Sequence, residues 1–152
     1  MAVLVQRSVE IKAAVVAADP YETGPRQALN FGHTLGHAIE AAAGYRWPHG
    51  YAVAAGMVAE AELGEEAGIT EPGTAELLRG VLDALGLPTV PPAGLAAAEV
   101  LARTRADKKA RRARVRYTLL ARAGEVARTA AGEWTFPVEE ERVERLLERL
   151  GP

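Results

Sequence analysis

His33, His37 and His49 are the only histidines in the chain, and Asn30 is its only asparagine; all four, with Arg26, fall in one short stretch of Ala, Gly and Leu. His33 and His37 are four residues apart, so a helix stacks them on one face. Such a pair can bind one divalent cation, and a third imidazole from the next element can complete the site. Spacing alone is weak, because packed structural histidines share it. What favours a metal is the gathering of every imidazole, the sole Asn and an Arg on one patch. Thr34 follows His33 where a zincin peptidase carries glutamate, which argues against that peptidase class. Cysteine is absent, which removes thiolate catalysis and Cys-type zinc sites, so any metal rests on His and carboxylates. Lys12, Arg26 and the Lys108–Lys109 pair provide cations for an anion-binding rim, with Arg suited to two-pronged contacts. A metal, several cations and neutral imidazoles predict chemistry on a small, multiply anionic substrate.

These residues need elements to hold them. Residues 3–18 read as a helix with Val5, Val9, Lys12 and Val16 on one stripe, so Lys12 lies either on packed apolar surface with its ammonium snorkelling out or in a cleft. Asp19-Pro20 ends it. Pro25 opens a second helix running to about Ala43, with Gly44 just past its end. Leu35 and Ile39 give it a core side, and Arg26, Asn30, His33 and His37 follow at about one per turn. Gly32 and Gly36 each weaken a helix by about 1 kcal/mol relative to Ala, which predicts close approach of another helix, a ligand or an ion.

His49-Gly50 opens a third helix to about Ala67, antiparallel to the second, with Val53, Met57, Ala61 and Gly64 as its seam. A fourth, Thr74 to Leu85, reads as plain core through Leu77, Leu78, Val81, Leu82 and Leu85. A fifth starts at Pro92 and ends near Ala106. Arg114 to Ala121 and Glu125 to Arg128 predict one small hairpin around Gly124, and Pro137 starts a final helix with Glu139, Glu140 and Glu141 in its first turn. The expected fold is therefore mainly α, a bundle-like single domain over residues 1–152 with a small β-hairpin near 114–128.

At 49% apolar and 25% charged residues the composition is that of an ordinary globular protein. No apolar run reaches the length of a membrane span and no signal peptide is evident, so a cytoplasmic protein without a membrane partner is expected. Eight basic residues lie between Arg103 and Arg116 with only Asp107 to oppose them. Nucleic acid is the obvious anionic partner for such a run, but the net charge of −2 and the lack of interleaved aromatics argue against one.

The run Arg26-Gln27-Ala28-Leu29-Asn30-Phe31-Gly32-His33-Thr34-Leu35-Gly36-His37-Ala38-Ile39-Glu40, followed by His49-Gly50 and Ala52-Val53 and by Gly56-Met57, resembles the signature of the 3-dehydroquinate synthases. The likeness extends upstream through Ile11 to Asp19 and downstream to Asp107-Lys108-Lys109. The resemblance implies a two-domain enzyme of the shikimate pathway, with a Rossmann-like NAD-binding domain followed by a helical metal and substrate domain. Only the second is expected here, inactive alone, because no Gly-rich strand-to-helix turn is present. It further implies that His33 and His49 are two ligands of Zn2+ or Co2+, the third being a glutamate outside this chain. His37 becomes a substrate-side proton carrier, where the spacing alone had left it a metal ligand. Lys12, Arg26, Asn30 and Lys108 or Lys109 would hold a seven-carbon sugar-acid phosphate, catalytic NAD would serve the redox steps, and the assembly would be a homodimer. Tyr51 stands where the family carries Glu. Another sugar phosphate cyclase, or a helical interaction module without catalysis, are the competing expectations.

Overall fold

The computed structural model describes residues 2–111 and 115–150, with the backbone alone for 106–111. Its helices are α1 (Ala2–Ala18), a 3-10 turn (Pro25–Asn30), α2 (His33–Ala42), α3 (His49–Glu66), α4 (Thr74–Ala84), α5 (Ala97–Arg111) and α6 (Glu140–Leu150). The strands are β1 (Arg116–Tyr117), β2 (Leu120–Arg122), β3 (Glu125–Val126) and β4 (Phe136–Pro137). The mainly α reading therefore stands.

α3 is the axis of the molecule. Alanines and glycines, with Val58 and Leu63, make it buried on nearly every side, and α2, α4 and α6 pack around it. The expected seam was narrower, because small residues let neighbours approach from several directions at once. Leu35 and Ile39 of α2, Leu63 of α3, Val100 and Leu101 of α5, Tyr117 of β1, Leu119 two residues further on, and Val143, Leu146 and Leu147 of α6 form one continuous core. Fully burying a Leu or Ile side chain contributes roughly 1.5–3 kcal/mol, so this cluster holds the helices in place.

The second helix is not continuous. Pro25–Asn30 forms a 3-10 turn, Gly32 takes φ +80°, and α2 starts only at His33. Arg26 and Asn30 therefore do not stand one turn below the histidines on a common α-helical face. A left-handed residue ends one helical run and begins the next, and Gly adopts that conformation without steric cost. The close approach predicted from the glycines is with another helix. A Cβ on Gly36 would come 3.0 Å from Val53 Cα, and one on Gly56 would come 2.7 Å from Gly36 N and overlap the Gly32 carbonyl oxygen. With Glu40 beside His49 at the other end, these pairings run in opposite chain directions, so α2 and α3 are antiparallel as expected.

Five further expectations are corrected. α1 has no buried residue and touches chiefly the 3-10 turn, so Val5, Val9 and Lys12 lie in solvent and not on a packed stripe. α4 meets the rest of the molecule through α3 at Leu82, which packs on Ala54 and Val58, while Leu77, Val81 and Leu85 stay exposed. The fifth helix begins at Ala97, five residues past Pro92, and extends to Arg111; the last begins at Glu140, three past Pro137. The single hairpin is instead two antiparallel pairs, β2 with β3 and β1 with β4, the second pair setting Tyr117 opposite Phe136. Pro137 pairs at that short, exposed edge, where a missing N–H is tolerated.

Candidate functional site

α2 and α3 bring the three imidazoles together. One nitrogen from each of His33, His37 and His49 lies within 4.8 Å of the others, and the ring centroids are 5.3 Å (His33–His37), 5.7 Å (His33–His49) and 5.5 Å (His37–His49) apart. Contraction of such a cluster onto one ion needs only small side-chain rotations, given metal–nitrogen bonds of about 2.0–2.1 Å. His33 is half-buried, whereas His37 and His49 are exposed, so the cluster is open to solvent on one side.

His33 and His49 are oriented from behind. Nδ1 of His33 lies 3.2 Å from the Phe31 carbonyl oxygen, and Nδ1 of His49 lies 3.0 Å from Glu40 Oε2. Both partners are acceptors, so each Nδ1 carries the proton and donates it. Each Nε2 then keeps its lone pair, the arrangement that metal-ligating histidines show. The donor set is therefore chemically suited to a divalent metal. Glu40 was not singled out by sequence reasoning, although it stands three residues past His37 and closes the family-like motif. Tyr51 packs edge-on against Trp47, with centroids 6.1 Å apart.

The expected anion-binding residues are distributed less tightly. Asp19 accepts hydrogen bonds from the backbone N–H of Thr23, Gly24 and Arg26 at 3.1, 2.8 and 3.1 Å, which fixes the loop entering the 3-10 turn. The Arg26 guanidinium donates to the Pro20 carbonyl at 2.8 Å and lies 3.8 Å from the Glu22 carboxylate. Asn30 donates to the same Glu22 carboxylate at 2.6 Å. Glu22 thus holds both residues through one carboxylate, and it does so from a left-handed backbone with φ +57°. Lys12 lies exposed on α1. The Lys108 and Lys109 side chains lie outside the described residues. Of the basic run, Arg105 is paired with Glu140 and Arg116 with Glu133, which lowers its pull on a polyanion.

Behind the histidines sits Glu60, fully buried in α3. Its carboxyl oxygens accept from Gly32 N at 2.7 Å and Leu35 N at 2.9 Å. Burial pushes this carboxyl up to about 8 from its ordinary 4.5, against the downward pull of the Leu35, Gly32 and Thr34 amides. The native state then holds a proton that the unfolded chain has released. The resulting stability is complete below the unfolded value and is lost as pH rises through the folded one. Chemical denaturation between pH 5 and pH 8 should accordingly show the unfolding free energy falling by on the order of a few kcal/mol, and Glu60→Gln should flatten that slope.

No helix among the described residues is long and apolar enough to cross a membrane. The model of the 3-dehydroquinate synthase C-terminal family matches residues 1–110. The 3-dehydroquinate synthase of Symbiobacterium thermophilum is 47% identical over 127 residues, covering 83% of this chain and 36% of that protein. That of Nocardia farcinica is 48% identical over 117 residues, covering 77% and 31%. The chain thus spans about a third of the length of the curated relatives it matches. In fold it is similar to a 2-deoxy-scyllo-inosose synthase solved with carbaglucose-6-phosphate, NAD+ and Co2+, at TM-score 0.84 and 22% identity over 95% of this chain and 39% of that one. It is also similar to the 2-epi-5-epi-valiolone synthase of Streptomyces hygroscopicus, solved with NAD+ and Zn2+, at TM-score 0.77 and 21% identity over 97% and 39%. With a family model matched over most of its length and the histidine cluster assembled from that same stretch, the chain belongs to the 3-dehydroquinate synthase C-terminal family.

Proposed function

We propose that this chain is the metal- and substrate-binding half of a 3-dehydroquinate synthase, a lyase that converts 3-deoxy-D-arabino-heptulosonate 7-phosphate to 3-dehydroquinate and phosphate. The observation that carries the reading is the pair of imidazoles, His33 and His49, each held at Nδ1 by an acceptor while Nε2 stays available beside His37. His33 and His49 would hold Zn2+ or Co2+, whose contribution is Lewis-acid polarisation of a substrate hydroxyl. His37, four residues on and exposed to solvent, takes up or returns a proton at its imidazole nitrogen on the substrate side. Arg26 and Asn30 bind the anionic and hydroxyl groups of the sugar acid, exchanging their contacts with Glu22 for contacts with substrate. Lys12 and the Lys108–Lys109 pair add positive charge for the phosphate.

NAD is a different matter. Among the described residues no strand leads through a Gly-rich turn into a helix, and the dinucleotide is assigned to a separate NAD-binding part. The proposed working unit is a cytoplasmic homodimer in which an NAD-binding part completes the site. Identities of 47% and 48% to 3-dehydroquinate synthases favour this substrate over those of the other sugar phosphate cyclases, which share the fold at about half that identity.

Combining the chain with the NAD-binding part of a close relative, Zn2+ and the sugar-acid phosphate should release phosphate well above the sum of the separate parts. Release no greater than that sum would overturn the assignment. Within the same assembly Glu40→Ala should weaken Zn2+ binding about 10–100-fold, as read by competition with a chromophoric chelator, because the His49 ring loses its backing.

A further inference from the structure

The carboxyl group of Glu60 has a position that packing alone does not explain. It is completely buried, and an apolar side chain of similar volume would fill the space without the desolvation that a carboxyl group suffers. Its oxygens are aimed at backbone amides of Gly32 and Leu35, 2.7 and 2.9 Å away. Those amides belong to the opening turn of α2, whose donors have no partners within the helix. Gly32 at the cap has no side chain to satisfy them. The cap therefore comes from a different helix, 28 residues further along the chain.

A cap supplied from within the same segment fixes only local conformation. One supplied from α3 also fixes the height and rotation of α2 on α3. His33 is the first residue of α2, so the direction of its ring follows directly from that rotation, and His37 stands one turn further on. His49 lies at the start of α3, about 16 Å along the axis from Glu60. The helix pair is thus tied at one end by Glu60, at the other by Glu40 and His49, and pressed together between them at Gly36 and Gly56. We propose that Glu60 is a positioning residue: its carboxyl group sets the register of α2 on α3 and so aims His33 and His37 at His49. The proposal rests on the histidine site described above and assigns no contact between Glu60 and metal or substrate.

Ring-to-ring NOEs in the isotope-labelled, metal-free chain test it, measured well below each variant's unfolding midpoint. In the native chain His49 should show NOEs to both His33 and His37. Glu60→Gln replaces one acceptor oxygen with an NH2 group that has no lone pair for the facing amide. In that variant the two NOEs to His49 should be lost, while the His33–His37 NOE inside α2 persists. Leu82→Ala, which removes packing in the separate cluster with Ala54 and Val58, is the control for general loss of stability and should keep all three. Glu60→Asp, which retains both oxygens, is the second variant should the amide not fold, and its NOEs to His49 should weaken. Native NOEs in the Glu60 variants, or equal loss in Leu82→Ala, would overturn the proposal. Co2+ absorption spectra supply a separate arm. If the native chain binds no Co2+, the metal reading falls, and the NOEs still decide the role of Glu60.

Discussion

After loading with Zn2+ and dialysis, His33→Ala and His49→Ala should retain no stoichiometric metal, whereas His37→Ala should retain it. The difference follows from the roles proposed for the rings, His33 and His49 as ligands and His37 as the proton carrier. His33 and His49 are tethered at Nδ1 by the Phe31 carbonyl and the Glu40 carboxylate, so little rotamer freedom is lost when Nε2 binds an ion. With one of them gone, the remaining tethered ring and its neighbours cannot complete the set proposed here. His37 has its own role: once the NAD-binding part is supplied, His37→Ala should lower turnover about 10²–10⁴-fold, the usual contribution of a positioned proton carrier. Metal analysis by atomic absorption, set beside phosphate release, separates the two effects. Loss of metal in all three variants would instead make the cluster a three-imidazole site, which its 4.8 Å spread also permits.

Gly56→Ala should be strongly destabilising. The added Cβ would overlap the Gly32 carbonyl oxygen and sit 2.7 and 2.9 Å from Gly36 N and Cα. All three obstacles are backbone atoms, so no rotamer change relieves them, and α2 must move off α3. The expected loss is about 3 kcal/mol or more, at the upper end of overpacking effects. In a chain of this size that lowers the thermal midpoint by roughly 6–12 °C. Gly80→Ala is the matched control: that glycine lies inside α4 with nothing within 4 Å of an added Cβ. It should raise stability by about 0.4–1 kcal/mol. Scanning calorimetry of the two variants gives opposite signs, and equal small shifts would mean that the α2–α3 contact is looser than described. Gly56→Ala should also lower metal affinity, since the register of the imidazoles depends on that contact.

What the chain alone determined is local in origin. The spacing of His33 and His37, the proline that opens the 3-10 turn, and Gly44 and Gly68 past the ends of α2 and α3 were legible because each acts through its nearest neighbours. The extent of α3 and the antiparallel pairing of α2 and α3 were legible for the same reason: a short loop leaves few other routes. Family-like residues around the histidines pointed to the chemistry before any distance was known.

Only the tertiary structure decided how those pieces bear on one another. Periodicity marks which face of a helix is apolar and not what covers it, so α1 and α4 read as packed while Val5, Val9, Leu77 and Val81 stand in solvent. Gly32 looked like a weak point inside one helix, but the approach of α3 and the Glu60 carboxyl turn it into the junction of two. In sequence Glu60 is one glutamate among several on α3 and carries no local signal; its two amide partners come from residues 25 and 28 positions away. Glu40 gains its place behind His49 in the same way. A side chain's type fixes the bonds it can make, and only the fold, by bringing distant donors to it, selects which of them form.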